Sequence, residues 1–231
     1  MRRLLLIGIN ARYTHTNLAV RYLRNNSLDL PYEIIIKEFS INQNLLEILA
    51  EIEEVHPFAI AISVYIWNTE LITIILPELK KILPSIKIIL GGPEVSYNPE
   101  NWLEKFPEID FIIINSGETG FRYLLENNLS VSQKIIHKPN PHFSAIKFPY
   151  LESDFKNLVH KYIYYESSRG CPFKCSYCLS SRKEQKLEFR DMEDVKKELD
   201  FLISQNIKIV KFVDRTFNAL PEFSRIIWIY L

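Results

Sequence analysis

The stretch FAIAISVYIWNTELITIILPELKKILPSIKIILGGPEVS, Phe58 to Ser96, decides the fold. Its apolar, β-branched runs, Phe58–Tyr65 and Ile86–Leu90, suit strands buried on both faces of a parallel sheet. Between them, Thr69–Leu83 carries a helical period. The same alternation continues in both directions. Arg3–Ile9, Tyr32–Lys37 and Asp110–Asn115 read as further strands. Asn17–Leu28, Asn42–Val55, Pro99–Phe106 and Glu118–Asn127 read as helices, and Leu45, Leu46, Leu49 and Ile52 make one apolar stripe at helical spacing. Repeated strand–helix alternation predicts a doubly wound α/β domain over residues 1–130. Ligands on such sheets lie outside the carboxyl ends of the strands. The segments to inspect are therefore Asn10–Asn17, Ser63–Asn68, Gly91–Ser96 and Ser116–Gly120.

Over residues 131–160 the pattern weakens. Pro139, Pro141 and Pro149 fall among Asn, His and Ser, which predicts a surface linker. A second α/β pattern fills 161–231. Tyr162–Glu166 reads as a strand, Met192–Ser204 as a helix, Lys208–Val213 as a strand and Pro221–Tyr230 as a helix. Two βα units of roughly 30 residues each cannot close a barrel. The sequence ends in the apolar RIIWIYL, so the second domain reads as unfinished and is expected to bind its ligands better than it turns them over.

The 231 residues balance 28 Lys and Arg against 28 Asp and Glu, with 47% hydrophobic residues. Such neutrality argues against a protein whose main partner is a nucleic acid. The opening RRLLLIGI is too short for a signal peptide and is followed by Asn10 and Arg12 without a cleavage site. No run approaches the roughly 18 apolar residues of a membrane helix. An odd number of cysteines does not make a secreted disulfide framework. The expected location is a reducing cytoplasm.

All three cysteines lie in RGCPFKCSYC, Arg169 to Cys178. Cys171, Cys175 and Cys178 have the spacing C-x3-C-x2-C. A structural zinc site wants four ligands, and His160 is the nearest candidate histidine. A disulfide with a spare thiol fits the compartment poorly. An iron–sulfur cluster normally takes four cysteines, so three would leave one iron open to a small molecule. Thiolate softness favours the cluster, with zinc and disulfide as the alternatives.

This motif, with Tyr177 just before its last cysteine and a strand just before the loop, resembles the signature of the radical S-adenosylmethionine superfamily. The resemblance implies a [4Fe–4S] cluster on Cys171, Cys175 and Cys178. It implies that the amino and carboxylate groups of S-adenosylmethionine chelate the fourth iron, and that an electron from the cluster cleaves the sulfonium. An external electron donor, flavodoxin- or ferredoxin-like, goes with that chemistry. Tyr177 falls where the family lays a residue against the adenine; the plain alternative is a core aromatic. Gly170 and Pro172 suit a sharp turn. Asp214, at the end of the second strand of this part, either faces the active site or caps the following turn.

The first domain resembles the Rossmann-like cobalamin-binding domains that precede some radical S-adenosylmethionine barrels. Ser63 and Tyr65 in AISVYIWN match the end of the family's third strand. Gly91, Gly92, Pro93 and Glu94 in ILGGPEVS match its fourth-strand loop. Gly117 and Glu118 in NSGETGF match its fifth. Without Cβ atoms, Gly91 and Gly92 would let backbone touch the cofactor's nucleotide tail. Taken singly, the Gly pair also suits a plain strand-to-helix turn, and Ser63 a buried hydroxyl. In Asp-x-His-x-x-Gly, found in several cobalamin domains, the His ligates cobalt. Here Asn10 falls at the Asp position and Arg12 at the His position, and His15 falls where the Gly would be. The resemblance therefore implies cobalamin binding near Asn10 and Arg12 without a protein imidazole on cobalt. The fragments YTHTNLAVRYL and VKFVDRTFN resemble one subgroup of these proteins whose substrate the sequence does not name. The leading expectation is an enzyme using cluster, S-adenosylmethionine and cobalamin for methyl transfer or related radical chemistry on an unknown substrate, with no membrane partner. The alternatives are a cobalamin-binding module without catalysis and a zinc-stabilised protein that is not an enzyme.

Overall fold

Strand β1, Arg2–Asn10, is the centre from which the first sheet is built in a computed structural model that describes residues 2–178 and 186–231. It pairs in parallel with β2 (Tyr32–Ser40) on one side and with β3 (Ala59–Ser63) on the other. Parallel strands β4 (Lys87–Gly91), β5 (Phe111–Ile113) and β6 (Ile135–Ile136) continue outward from β3. The strand order is β2-β1-β3-β4-β5-β6. The direction of winding reverses between β1 and β3, which opens a crevice at their carboxyl ends.

Side chains alternate between the two faces of the sheet. Leu5, Ile7 and Ile9 enter one core with Ile60, Ile62, Ile88 and Leu90. Helices α2 (Leu45–Glu54), α3 (Thr69–Ile82) and, beyond a short α4 (Pro93–Tyr97), α5 (Pro99–Lys105) close that core through Ile52, Ile75, Leu79, Val95 and Trp102. Each such side chain, fully buried, contributes about 1.5–3 kcal/mol. Leu4, Leu6, Ala59 and Ala61 face the other way, toward α1 (Leu18–Asn25) and α6 (Gly117–Glu126). Gly8, on this face, lets the start of α1 come close. A Cβ on Gly8 would lie 2.5 Å from the Cβ of Asn17, which caps α1.

The stretch 131–160, expected as a linker, is divided between two compact units, Met1–Pro141 and His142–Leu231. Strand β6 belongs to the first sheet: Ile112 N donates to Lys134 O at 2.8 Å and Ile114 N to Ile136 O at 3.1 Å. Two residues are too few to show a period, so nothing in the sequence marks them. Phe143, Ile146, Tyr150 and Leu158 are buried in the second unit. The Tyr150 hydroxyl donates to Tyr164 O at 2.7 Å and accepts from Tyr164 N at 3.1 Å. It thereby stands in for a neighbouring strand.

In the second unit, β7 (Ile163–Tyr165) leads to a two-residue strand β8 (Ser168–Arg169), which pairs antiparallel with β9 (Glu188–Phe189). Helix α7 (Met192–Ser204) follows and buries Val195, Leu199 and Leu202. Strand β10 (Val210–Phe212) returns parallel to β7, and helix α8 (Pro221–Tyr230) comes after it. Both helices occupy the residues expected of them.

Asp110, just ahead of β5, is the main tie at the amino edge of the first sheet. It accepts from Lys87 Nζ at 2.7 Å, Lys80 Nζ at 3.2 Å and Ile88 N at 2.9 Å. Burial pushes its carboxyl up, but the donors at Lys87, Ile88 and Lys80 outweigh it and hold the group below the ordinary 3.8. A depressed carboxylate stabilises the fold above its unfolded pKa, and that stability is lost as pH falls through the folded value. Asp110→Asn is therefore expected to cost about 2 kcal/mol at neutral pH. Denaturant melts should show the gap to the unmodified chain narrowing below about pH 4. A gap that does not change with pH would contradict this.

Candidate cofactor sites

The carboxyl edge of the first sheet holds a buried polar network. Asn10, at the end of β1, donates through Nδ2 to the His15 carbonyl at 3.0 Å and to Glu38 Oε1 at 3.4 Å. Asn17 N donates to the same Glu38 oxygen. Arg21 pairs with Glu38 Oε2 at 2.8 Å, with side chains only 4% and 7% exposed. Asn17 Nδ2 donates to Ser63 Oγ at 2.9 Å, and Asn17 Oδ1 accepts from Val20 N to cap α1. Asn10 and Ser63, both singled out from the sequence, are thus joined through Asn17, which ended one of the segments to inspect, and Glu38, which lay outside all of them. The signal available was weak: Asn17 reads only as a helix start, and Glu38 falls just past the apolar run of β2.

Asn68 closes the loop after β3. It is fully buried, donates to Ile9 O at 2.9 Å and Ser63 O at 3.0 Å, and accepts from Tyr65 N at 2.8 Å. Tyr65 stacks on Trp67 at 4.4 Å, and Trp67 Nε1 donates to Ile9 O at 3.2 Å. Together with exposed Tyr13 and Ile66, these rings give the loops at the carboxyl ends of β1 and β3 an apolar surface. Arg12 is exposed, and its carbonyl accepts from His15 N at 3.1 Å, so the loop turns there.

The glycine pair after β4 divides into two roles. Gly92 has φ of 107°, and a Cβ on it would lie 2.5 Å from Val64 O. It lets the chain cross over the exit of β3, where Val64 N donates to Gly91 O at 2.7 Å. Gly91 has ordinary room: its nearest atom to an added Cβ is Ile113 O at 3.7 Å. Gly92 is therefore required by the fold itself, whereas the packing around Gly91 leaves room for a Cβ. Pro93 and Glu94 open α4, and Glu94 N approaches Val64 O at 3.4 Å. Gly117 and Glu118 open α6, with Glu118 buried in its first turn, where the helix dipole favours a carboxylate.

In the second unit the cysteine loop leaves β8. Its base is fastened by Asp214, just past β10. This carboxylate accepts from Ser167 N at 3.2 Å, Ser167 Oγ at 2.7 Å and Ser168 Oγ at 2.5 Å. Asp214 is thus committed to holding the ends of β7 and β10 together. Gly170 has φ of 99°, and a Cβ there would meet Lys186 O at 2.5 Å, so the outgoing and returning chain cross at this point. Arg169 is held against Glu166 at 2.8 Å. On the return side, Arg190 pairs with Glu198 at 3.1 Å. Burial raises the Glu198 carboxyl above its usual range; the charge of Arg190 and the Tyr165 hydroxyl, at 2.7 Å, pull it back.

Within the loop, Cys178 N donates to Cys175 O at 3.1 Å, which puts both residues on one turn. Cys171 Sγ lies 3.4 Å from Thr216 Oγ1. All three thiols are partly buried and none is in a disulfide. Among the described residues no three Cys, His, Asp or Glu side chains are gathered closely enough to hold a metal ion, and exposed His160 joins no such group. The loop brings the thiols together in sequence, not yet at one point. The donor set still fits an iron–sulfur cluster: three soft ligands on one short loop, reachable from solvent. Tyr177 is 91% exposed, which corrects the reading of it as a core aromatic.

Comparison with known proteins agrees with both units. The B12 binding domain family matches residues 4–125, and the Radical SAM superfamily matches 165–231. The cobalamin-dependent radical SAM methyltransferase TokK of Streptomyces tokunonensis is 25% identical over 73% of this chain and 29% of its own length. An uncharacterised methyltransferase of Pyrococcus horikoshii is 29% identical over 60% of this chain and 35% of its own. The chain thus spans about a third of the length of these curated relatives. Among solved structures, the cobalamin-dependent S-adenosylmethionine radical enzyme OxsB superposes with a TM-score of 0.77 at 17% identity, over 97% of this chain and 35% of that one. The radical S-adenosylmethionine methyltransferase TsrM of Kitasatospora setae gives 0.72 at 16%, over 97% and 50%. No helix among the described residues is long and apolar enough to cross a membrane. The cofactors of the family are cobalamin, S-adenosylmethionine and a [4Fe–4S] cluster. A switch-point sheet whose residues 4–125 match the B12 binding domain identifies the chain as a member of the B12-binding-domain family, and its three-thiol loop on a parallel βαβ unit lies in the stretch 165–231 that matches the Radical SAM superfamily.

Proposed function

We propose that the chain takes part in a cobalamin-dependent radical S-adenosylmethionine reaction, with methyl transfer as its class. The observation that carries this reading is the presence in one chain of a switch-point sheet and an isolated three-cysteine loop that follows the first strand of a parallel βαβ unit. When bound, the cluster supplies a single electron at a low potential and cobalamin supplies a methyl relay.

The residues of the chain hold and orient. Cys171, Cys175 and Cys178 are the three protein ligands of the cluster. Asp214 fixes the root of their loop through Ser167 and Ser168, so the thiols start from a rigid base. Tyr177, exposed beside Cys178, supplies a ring for the adenine of S-adenosylmethionine. In the first unit, Ser63, Tyr65, Gly91, Gly92, Pro93, Glu94, Gly117 and Glu118 line the carboxyl edge proposed for cobalamin. Asn10 and Arg12 lie on the same edge. The buried Arg21–Glu38 pair holds the loop after β1 in place, because breaking it would leave a charge without its partner in the interior. Apolar Trp67 and Ile66 offer a surface that excludes water from a flat macrocycle. An external flavodoxin- or ferredoxin-like electron donor and a reducing cytoplasm complete the proposal.

The test loads the full chain with cobalamin and reduces it to the Co(II) form. Electron paramagnetic resonance is expected to show a bound signal without nitrogen splitting from the protein, because Arg12 stands where other cobalamin domains place their ligating His. Splitting from a protein nitrogen would contradict this. With the cluster also in place, a strong reductant should drive consumption of S-adenosylmethionine. Both cofactors bound with no consumption would favour the cobalamin-binding module.

A further inference from the structure

We propose that Thr216 tunes the cluster by donating a hydrogen bond to Cys171, which raises the reduction potential. The inference rests on the three cysteines ligating iron. Cys171 Sγ and Thr216 Oγ1 are 3.4 Å apart, and in the thiol form either group can donate. A metal-bound cysteine is deprotonated and has no proton to give. The hydroxyl is then the donor.

The contact is held from both ends. Cys171 is three residues past Ser168, and Thr216 is two residues past Asp214. Asp214 accepts from Ser168 Oγ at 2.5 Å and from Ser167 Oγ at 2.7 Å. Gly170, at φ of 99°, fixes the direction in which the chain leaves β8. On the other side, Ala219 N donates to Thr216 O at 3.0 Å, and Ser224 Oγ donates to Phe217 O at 2.6 Å, so the segment carrying Thr216 is turned and braced. The two atoms are therefore set by a short clamped ring of backbone, not by two mobile side chains meeting on a surface.

Hydrogen bonds to the sulfurs are among the determinants of cluster potential. A donor stabilises the more negative state, so it favours the reduced cluster over the oxidised one. Thr216 touches a ligand and not a reacting atom, and its role is that of a positioning and tuning residue. The contact is made to Cys171, so the effect enters through that ligand.

The test is a redox titration of the reconstituted full chain with mediators, read by electron paramagnetic resonance. Thr216→Val keeps the shape and removes the hydroxyl; Thr216→Ser keeps the hydroxyl. Valine is expected to lower the ratio of reduced to oxidised cluster at a fixed potential by about tenfold, which is about 59 mV for a one-electron couple. Serine should return it toward the unmodified value. Intact clusters of equal potential in the unmodified chain and both variants would overturn the inference and leave the cluster itself standing. A purely structural Thr216 would lower the yield of cluster without moving the potential, which also overturns it. An unmodified chain that forms no cluster would overturn this inference together with the proposed function.

Discussion

Replacing any one of Cys171, Cys175 and Cys178 by Ala is expected to leave the anaerobically reconstituted chain without its brown chromophore, while the fold survives. The two halves of that expectation come from different observations. The thiols are partly exposed and make no disulfide, so each substitution removes little packing. Surface changes of this kind usually stay within about 0.5 kcal/mol. The cluster has no such reserve: with one iron left to a small molecule, two thiolates are too few to hold it. The sequence holds no fourth cysteine to replace a lost sulfur. Visible absorbance should disappear and far-ultraviolet circular dichroism should not change. An Ala variant that keeps a full chromophore would remove that cysteine from the ligand set.

The two neighbouring glycines are expected to behave differently. Gly92→Ala places a side chain at φ of 107° and ψ of 173°, with its Cβ 2.5 Å from Val64 O. The backbone region alone costs about 1–3 kcal/mol. This variant should unfold at clearly lower denaturant with or without cobalamin. Gly91→Val meets nothing closer than Ile113 O at 3.7 Å from its Cβ, so unfolding should hardly change. Its branched side chain would occupy the space where a ligand reaches the backbone. Cobalamin affinity is expected to fall about tenfold, or about 1.4 kcal/mol. If Gly91→Val binds cobalamin as tightly as the unmodified chain, the carboxyl end of β4 is not part of the site.

The sheet was legible because its strands are apolar on both faces and its helices amphipathic; the alternation from Arg3 to Asn127 needed no tertiary information. Strand β6 was not, because Ile135 and Ile136 become a strand only by pairing with β5. Segment 142–160 looked like linker for a related reason. Its buried residues, Phe143, Ile146 and Tyr150, are spaced irregularly and find partners in distant parts of the second unit. The cysteine loop stood out by its spacing, while its reading as a cluster site came from the resemblance to the radical S-adenosylmethionine superfamily and not from the spacing. The network that supports the first site was not: Asn17, Arg21, Glu38 and Asn68 are polar residues on polar-looking segments, and only the folded chain shows them to be buried. Asp214 had two readings in the sequence. The structure shows its carboxylate taken up by Ser167 and Ser168, a role that depends on β10 lying beside β7.

The central claim, that one chain carries both cofactors, is tested most directly by metal and sulfide analysis of anaerobically prepared protein after saturation with cobalamin and gel filtration. The account expects about four iron and about four acid-labile sulfide per chain, the content of one [4Fe–4S] cluster, together with one retained cobalamin. Stoichiometric zinc without labile sulfide, or a cluster on a chain that retains no cobalamin, would contradict it.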